Sequence, residues 1–417
     1  MSKDVVIIGA GVIGLCTALN AARRGHRVIV VERNEKSHEG CSTGNAGMIV
    51  PSHFVPLAAP GMVALGLKWM WNPESPFYIK PRLDGALLDW AFKFWRASTP
   101  GHVAAAAPLL RDLSFTSRTF FEELADESEN EFELVKRGLL MLCKTQHSLD
   151  EEGRMAETAN GLGVEARVLD AAQTAAMEPG TALNVAGSVY FPNDCHLTPK
   201  LFVRTLRRRC RDAGVEFHFN TDVTALEVRD SRVHSVTAGN REFEVGELVL
   251  CAGSWSSDLA ATLGLKIPMQ AGKGYSLTLP SPRKRLQLCS ILTEARVAVT
   301  PMGDELRVGG TMEMAGLNDR ISPRRVRGIV NALPRYYPDF KAEDFADTKP
   351  WYGLRPCSPD GLPYVGRTEK FKNLCVATGH AMMGLSLGPV TGDIIGKLLD
   401  DEDPGFDLRM LSPDRFA

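Results

Sequence analysis

The sequence predicts an α/β fold in which a parallel sheet of the nucleotide-binding kind is interrupted by an inserted antiparallel (α+β) domain. Three observations predict it. Residues 4–33, DVVIIGAGVIGLCTALNAARRGHRVIVVER, have the pattern strand, glycine-rich turn, helix, strand. Residues 373–399 again form a strand, a glycine-rich turn and a helix. Residues 266–315 alternate in short strand-like runs that are typical of an antiparallel sheet.

Local signals place the individual elements. The β-branched run 4–8 predicts a strand, 12–24 a helix that Gly25 ends, and 27–32 a second buried strand. Apolar periodicity predicts helices at about 107–126 and 323–334. Thr198 is expected to cap a further helix that has Pro199 at its first position. Residues 41–100, which are rich in proline and tryptophan, are expected to be irregular.

Composition excludes several classes of protein. Among 417 residues, 48 Lys and Arg balance 50 Asp and Glu, so nothing in the charge favours nucleic acid as a partner. The basic cluster at 207–211 predicts the last turn of a helix, with a phosphate or headgroup patch as the alternative. Nine cysteines without a C-x-x-C spacing indicate reduced thiols and a cytoplasmic protein. Prolines and a lysine interrupt the apolar stretch 54–71, so we expect no membrane span.

The first glycine-rich turn has the spacing G-x-G-x-x-G of a dinucleotide site. Gly9 makes the tight turn, Gly11 allows close approach of a pyrophosphate, and Gly14 allows the helix to pack on the strand. The helix N-terminus then faces the phosphates. Glu32, at the end of the second strand, is placed to accept hydrogen bonds from ribose hydroxyls and would repel a 2′-phosphate, which disfavours NADP.

Three further segments favour a flavin over a nicotinamide. CSTGNAGM at 41–48, ELVLCAGSW at 247–255 and the glycine-rich run after 373 all place small residues at or after strand ends. Small residues allow the backbone to approach an extended ligand closely. A flavin that reaches from the first turn to the last helix would contact all of them.

On these residues the whole chain resembles the FAD-dependent D-amino-acid oxidase superfamily, and within it the D-amino acid dehydrogenases. The segments that carry the resemblance are STGNAGMIVPSH, APGMVALGLKWMW, GKGYSLTLP, LRVGGTMEMAG, WYGLRPCSPDGLPYVGR and NLCVATGHAMMGLSLGPVTG. The resemblance implies a Rossmann-like FAD-binding domain at 1–56, 196–265 and 346–417, and a substrate domain of the D-amino-acid oxidase type at 57–195 and 266–345. It implies non-covalent FAD held by Gly9, Gly11, Val12, Ile13, Gly14, Glu32, Arg33, Ser42, Thr43, Asn45, Ala46, Gly47, Met48, Val223, Ala252, Gly253, Gly379, His380, Gly384 and Leu385.

The resemblance also implies oxidation of an amine at the carbon that bears a carboxylate, with no metal. By resemblance, Arg355 is the arginine that binds this carboxylate, and a planar guanidinium suits it; a surface salt bridge is the alternative. Tyr275 is expected either to donate a hydroxyl to the same carboxylate or to be a core tyrosine. His53 either takes the ammonium proton or is a structural histidine. His380 is expected at the flavin edge, and Glu294 is a weaker candidate for contacting the amine.

Cys357 raises the alternative of a covalent flavin, since some members of the superfamily attach it through a cysteine in this region. The spacing around Cys357 differs from that pattern.

The electron acceptor has its own candidate surface. Four tryptophans fall within 27 residues, interleaved with five cations, which is typical of a membrane interface: Trp69, Trp71, Trp90 and Trp95, with Lys68, Lys80, Arg82, Lys93 and Arg96. The resemblance implies a quinone or another respiratory carrier, reached by peripheral contact at the inner membrane face. The alternative is that these aromatic residues form a core or an oligomer interface.

These observations predict an FAD-dependent dehydrogenase that deaminates D-amino acids of the D-proline, D-hydroxyproline or D-alanine type. Two segments, GMIVPSH and RPCSPDGLP, resemble the D-hydroxyproline-catabolising branch of the family slightly more than the D-alanine branch. One alternative is an amine oxidase of the glycine or sarcosine oxidase kind that uses O₂. Another is a flavin-bearing subunit of a hetero-oligomeric dehydrogenase that is inactive alone.

Overall fold

The computed structural model describes residues 2–69, 75–80, 82 and 84–417, without the side chains of Leu67 and Trp69. The strands of this part of the chain are β1 Asp4–Ile8, β2 Arg27–Val31, β3 Met48–Ile49, β4 Phe77–Ile79, β5 Leu139–Cys143, β6 Arg167–Asp170, β7 Gly187–Phe191, β8 Cys195–His196, β9 Glu216–His218, β10 Val223–Arg229, β11 Arg232–Ala238, β12 Arg241–Glu244, β13 Glu247–Leu250, β14 Gln270–Leu279, β15 Cys289–Leu292, β16 Val297–Met302, β17 Glu305–Met314, β18 Trp351–Cys357, β19 Tyr364–Arg367 and β20 Leu374–Thr378.

The α-helices of the same residues are α1 Val12–Arg23, α2 Met62–Trp69, α3 Gly85–Ala97, α4 Pro100–Glu127, α5 Gln146–Gly161, α6 Ala171–Met177, α7 Pro199–Asp212, α8 Ser256–Thr262, α9 Pro323–Tyr336 and α10 Gly388–Leu399. Short 3₁₀ turns lie at Gly253–Trp255, Ala342–Phe345 and Arg409–Leu411.

The first sheet has six strands in the order β19-β20-β13-β1-β2-β9 and is parallel except for β19 at its edge. Its central strand β1 is buried from Val5 to Ile8, which explains the unbroken apolar run there. Helices α1 and α10 pack so closely that a Cβ at Gly392 would lie 2.5 Å from the Cys16 carbonyl oxygen. The parallel sheet predicted from both chain ends is confirmed.

The second sheet has the order β18-β14-β17-β16-β15-β5-β7-β6, with β4 paired to β17. The region 266–315 is antiparallel as predicted, but β15 pairs with β5, and β17 with β4, in parallel. Strand β18 pairs with β14, with Tyr352 opposite Tyr275 and Arg355 opposite Gly272. This register brings two predicted site residues onto neighbouring strands.

We propose that the domains follow these two sheets. Strand β18 belongs to the second sheet although its residues, 351–357, lie inside the segment 346–417 that we assigned to the FAD-binding domain. If each domain contains one sheet, the start of the last FAD-binding segment moves from 346 to the end of β18.

The expectation that 41–100 is irregular is wrong. Helix α3 forms there because the Asp84 carboxylate accepts hydrogen bonds from the N–H groups of Ala86 and Leu87 at its first turn. Helix α4 begins at Pro100, earlier than predicted, with Thr99 as its cap. Thr198 precedes α7 as expected, but its hydroxyl donates to Glu133 and does not cap the helix.

Candidate functional site

A cavity of about 1260 Å³ lies at the carboxyl ends of β1, β2 and β13 and extends to β14, β17 and β18. Ligands of open α/β sheets bind at this edge. The predicted residues that line the cavity are Gly9, Gly11, Val12, Ile13, Glu32, Arg33, Ser42, Thr43, Asn45, Ala46, Met48, His53, Val223, Ala252, Gly253, Tyr275, Arg355, His380, Gly384 and Leu385. Segments as far apart in sequence as Gly9 and Leu385 therefore form one wall.

Three predicted glycines lie behind this wall rather than on it. A Cβ at Gly14 would lie 1.9 Å from the Gly9 carbonyl oxygen, and one at Gly47 would lie 2.3 Å from the Leu197 carbonyl oxygen. A Cβ at Gly379 would lie 2.8 Å from the Tyr364 ring. These three glycines do not line the cavity, in contrast to the expectation from the sequence. They are small because backbone or a ring packs directly against them.

The nucleotide end of the cavity combines a tight turn with a fixed carboxylate. Gly9 has φ +111°, and a Cβ there would lie 2.5 Å from the Cys251 carbonyl oxygen. Glu32 accepts hydrogen bonds from Ala10 N at 2.8 Å and Asn34 N at 2.9 Å. These bonds hold its carboxylate at the cavity wall, where ribose hydroxyls can donate to the remaining lone pairs.

The N-terminus of α1 faces the same cavity. The first turn of α1 contains no acidic residue, and Val12 N donates to Ser42 Oγ at 2.8 Å. A helix N-terminus without an acidic residue in its first turn has a positive dipole end that suits a pyrophosphate. The turn, the helix and Glu32 together fit the dinucleotide part of FAD.

The Ser42 hydroxyl joins the segment 41–48 to α1, and this contact gives a testable expectation. Ser42→Ala should lower the free energy of unfolding of the apoprotein by about 1 kcal/mol, as for other lost helix caps. It should also weaken FAD binding, because the segment loses its bond to α1. Thr145→Ala is the matched control, since Thr145 caps α5 through Ser148 N and does not line the cavity.

Chemical denaturation and FAD titration of the apoprotein measure both effects. We expect Thr145→Ala to lose stability without losing FAD affinity. Equal FAD affinities for Ser42→Ala and the parent would contradict this role of Ser42.

Sequence reasoning missed two supports of the FAD region. Arg307 on β17 donates through Nη1 to the carbonyl oxygens of Thr43 at 2.9 Å and Asn45 at 2.8 Å. Trp255 lines the cavity under Arg33, whose guanidinium carbon lies 3.6 Å from the ring centroid. Both are single residues far in sequence from the segments they support.

The basic cluster at the end of α7 does not form one anion site. Arg207 lines the cavity, but Arg208 pairs with Glu131 at 2.7 Å and Arg209 with Glu127 at 3.2 Å. These ion pairs favour the interpretation of the cluster as the last turn of a helix.

Arg355 is a partly buried cation in the cavity. Its Nη1 donates to the Thr311 carbonyl oxygen at 2.7 Å, and its guanidinium lies against Gly274, where any side chain would collide with it. Burial lowers its pKa from the ordinary value. Among the described residues, no carboxylate lies within 4.0 Å of it, so the surface salt bridge is excluded for this part of the chain. A partly buried guanidinium that faces a cavity, with donors left over, is suited to pair with an incoming carboxylate.

Tyr275 lines the cavity, but its hydroxyl already has partners. It donates to Glu313 Oε2 at 2.8 Å and accepts from Ser322 N at 3.3 Å. Burial, and then Glu313, raise the pKa of Tyr275. Donation to a substrate carboxylate would require this hydroxyl to leave Glu313.

Two histidines line the cavity, and burial keeps both neutral. Burial lowers the pKa of His53 to about 4, and the charge of Arg296 acts in the same direction. His53 Nδ1 lies 3.0 Å from Ser52 Oγ. Burial lowers the pKa of His380 to about 3, and its Nε2 lies 3.0 Å from Thr391 Oγ1. A neutral imidazole has a lone pair that can accept a proton.

Two weaker candidates are not on the cavity wall. Glu294 accepts from the N–H groups of Lys144 and Thr145 and from the Tyr336 hydroxyl. Its carboxylate does not line the cavity, so its position does not favour contact with a substrate amine. The Cys357 thiol lies 3.8 Å from Met312 Sδ, away from the cavity, and burial raises its pKa to about 12. This position gives no support to covalent attachment through Cys357.

Comparisons with known proteins agree with this geometry. The model of the DAO family, described as FAD dependent oxidoreductase, matches residues 4–398. D-amino acid dehydrogenases of Granulibacter bethesdensis and Bradyrhizobium diazoefficiens are each 31% identical over 99% of this chain and 99% of their own length. A glycine oxidase structure from Geobacillus kaustophilus, 24% identical, superimposes with a TM-score of 0.79 over 100% of both chains. A sequence that matches this model from its first strand to its last helix, and that folds around such a cavity, belongs to the DAO family of FAD-dependent oxidoreductases.

Proposed function

We propose that this protein is a D-amino acid dehydrogenase that oxidises the amine carbon of a D-amino acid and passes the electrons to a respiratory acceptor. The relatives that are 31% identical over 99% of the chain carry that name. The observation that carries the proposal is the partly buried Arg355, which has no carboxylate within 4.0 Å among the described residues and lies in the cavity that also contains the glycine turn and Glu32. A carboxylate bound in this cavity can pair with the Arg355 guanidinium.

Each group has a distinct part in the proposed reaction. Bound FAD supplies the acceptor for the hydride that leaves the α-carbon. Arg355 binds and orients the substrate carboxylate, and His53 takes the proton that the ammonium must lose first. Apolar residues of the wall, including Leu57, Phe77 and Ile321, exclude water from the reacting carbon.

We propose D-proline, cis-4-hydroxy-D-proline and D-alanine as the substrate class. The test is a panel of paired D- and L-amino acids with an artificial dye as electron acceptor and the purified holoprotein as catalyst. We expect turnover of D-isomers, with small or cyclic side chains fastest. Turnover of L-isomers alone would contradict the proposal.

The fold also suits a second candidate, an O₂-using amine oxidase. Its support is the superposition on glycine oxidases, which at 24% identity shows the fold and not the acceptor. Hydrogen peroxide formed at the rate of dye reduction would favour this candidate. A purified, FAD-loaded chain that turns over no amine would favour the third alternative, a subunit of a hetero-oligomeric dehydrogenase.

Helix α3 supports the proposed contact with a membrane that carries the acceptor. Leu88, Phe92 and Trp95 lie on one face of α3 and are 64%, 56% and 61% exposed, with Arg96 exposed beside them. Of the other aromatic residues, Trp90 agrees with the alternative of a core position, because it is buried and donates through Nε1 to the Cys357 carbonyl oxygen at 2.9 Å. The Trp69 side chain and Trp71 lie outside the described residues.

An exposed apolar face flanked by cations is typical of helices that lie in the interface of an anionic bilayer. Within the described ranges, no helix is long and apolar enough to cross a membrane. We therefore propose peripheral contact through the α3 face, defined by Leu88, Phe92 and Trp95, with a quinone as the acceptor.

Replacing Leu88, Phe92 and Trp95 together by Glu should abolish this contact. Burial of each side chain is worth about 1.5–3 kcal/mol, so we expect partitioning into anionic liposomes to fall by more than tenfold. Co-sedimentation with liposomes measures it. Val168→Glu, at a 51% exposed apolar position on β6, is the control and should leave partitioning unchanged. Equal partitioning of the triple variant and the parent would contradict the proposed surface.

A further inference from the structure

Asp194 is a buried carboxylate that contacts the cavity only through its neighbours. It lies between β7 and β8 and has no exposed surface. Ser52 N donates to Asp194 Oδ1 at 3.1 Å, and Ser52 Oγ donates to Asp194 Oδ2. Ser52 Oγ also lies 3.0 Å from Nδ1 of His53, which lines the cavity. Carboxylate, hydroxyl and imidazole thus form a continuous chain.

The hydrogen bonds of this chain determine the tautomer of His53. A serine hydroxyl has one proton, and here it is donated to Asp194. Ser52 Oγ can therefore only accept from His53, so the imidazole proton is on Nδ1. Nε2 is then the nitrogen whose lone pair can receive a proton, and His53 is prepared to act as a base.

We propose that Asp194 and Ser52 form a proton relay with His53, in which the proton released by a substrate ammonium moves through His53 and Ser52 to the Asp194 carboxylate. This inference rests on the proposed amine oxidation. The proton goes to Nε2 of His53, the Nδ1 proton goes to Ser52 Oγ, and the Ser52 hydroxyl proton goes to Asp194 Oδ2. Three protons shift by one position each, and no electrons move in this step.

The charges around the chain agree with this direction of transfer. His53, whose pKa is about 4, cannot hold the proton at neutral pH. Burial raises the pKa of Asp194 to about 7, while the bonds from Ser52 and the charge of Arg118 on α4 act in the opposite direction. Asp194 also acts on the thiols of Cys195 and Cys289, whose pKa values burial raises, and the charge of Arg296 lowers the pKa of His53. Asp194 is therefore the acceptor near neutral pH.

Asp194→Asn tests the relay with little change of shape. The amide oxygen keeps the bond from Ser52 N, so the amide NH₂ must donate to Ser52 Oγ. The Ser52 hydroxyl then donates to Nδ1, and His53 changes to the tautomer with its proton on Nε2. We expect the rate of flavin reduction by a D-amino acid at pH 7 to fall about 100-fold, the scale of general base catalysis.

Three readouts separate a relay from a purely structural role. In the parent, the rate of flavin reduction should rise through a group near pH 7, and in Asp194→Asn this rise should be absent. ¹⁵N NMR of the imidazole should show Nδ1–H in the parent and Nε2–H in the variant. Ser52→Ala should lose activity, and Ser52→Thr, which keeps the hydroxyl, should recover it. KM should change little, since Arg355 is untouched.

Stability against pH gives a readout that does not depend on activity. Between the usual carboxyl pKa of 3.8 and the folded value of about 7, the folded protein holds a proton that the unfolded chain has lost. Folding stability from this group therefore falls as the pH rises through that interval. The melting temperature of Asp194→Asn should rise relative to the parent from pH 4 to pH 8.

Glu178→Gln is the matched control. Glu178 is also buried with a raised pKa, but it accepts from the N–H groups of Gln287 and Leu288 and does not line the cavity. It should leave the pH profile of flavin reduction unchanged. An unchanged pH profile and tautomer in Asp194→Asn would overturn the relay. A parent that oxidises no D-amino acid would contradict the proposed function, and the NMR spectra would then decide the relay alone.

Discussion

Arg355→Met raises the KM for D-amino acids by about 10- to 200-fold, the equivalent of one buried charge-assisted pair of about 1.5–3 kcal/mol. The physical reason is that the guanidinium is the group that replaces the water around the substrate carboxylate. In the absence of substrate the variant should be as stable as the parent or more so. The variant removes a partly buried cation that has no carboxylate within 4.0 Å among the described residues. Steady-state kinetics and thermal unfolding of the same preparations measure both effects.

Arg415→Met is the control for this pair of effects. Arg415 is also poorly exposed, but its Nε lies 2.7 Å from the Asp360 carboxylate, and neither residue lines the cavity. Its removal leaves a buried carboxylate without a partner and should cost about 3–5 kcal/mol of stability. KM should stay unchanged. If Arg355→Met instead lost stability and kept its KM, the assignment of Arg355 to the substrate would be wrong.

Gly14→Ala should cause the loss of FAD. A Cβ at this position would lie 1.9 Å from the Gly9 carbonyl oxygen, so α1 must move away from the turn that faces the pyrophosphate. Displacement of the helix N-terminus removes the N–H groups and the dipole from the phosphates. We expect FAD affinity to fall by about 100-fold or more, since two or more charge-assisted hydrogen bonds are lost.

Gly161→Ala is the control, because a Cβ at the end of α5 meets nothing within 4 Å. It should leave FAD affinity unchanged and stability equal or slightly higher. FAD titration of refolded apoproteins measures the affinity, and circular dichroism shows whether Gly14→Ala folds. A folded Gly14→Ala protein with parental FAD affinity would contradict the account of the turn.

The parts of the fold and site that sequence predicts are those with local signals. The turn needs glycine at Gly9 for reasons of backbone geometry, and Glu32 follows at the spacing that a βαβ unit imposes. The segment Ser42–Met48 and the residues around Gly384 are assigned by resemblance, and apart from Gly47 the segment lies on the same wall as Gly384. Arg355 was found in the same way, because a family motif contains it.

The remainder depends on contacts that no local pattern encodes. Arg307 supports carbonyl groups more than 260 residues earlier in the chain, and Asp194 reaches Ser52 across 142 residues. In the sequence, Asp194 follows proline and asparagine and has the pattern of an ordinary turn. The sequence leaves open whether Trp90 and Trp95 are exposed or in a core, because α3 is not predicted. Without the helical period, the buried face that contains Trp90 cannot be told from the exposed face that contains Trp95.

The central claim is that FAD and the substrate carboxylate share one cavity, and that Arg355 binds the carboxylate. Its most direct test is a titration of the holoprotein with pyrrole-2-carboxylate, a planar acid without an oxidisable amine carbon, followed by the visible spectrum of the flavin. The account predicts a saturable spectral change in the parent and an affinity at least tenfold weaker in Arg355→Met, from the loss of a pair worth about 1.5–3 kcal/mol. Equal affinities in the two proteins, or no spectral change in the parent, would contradict it.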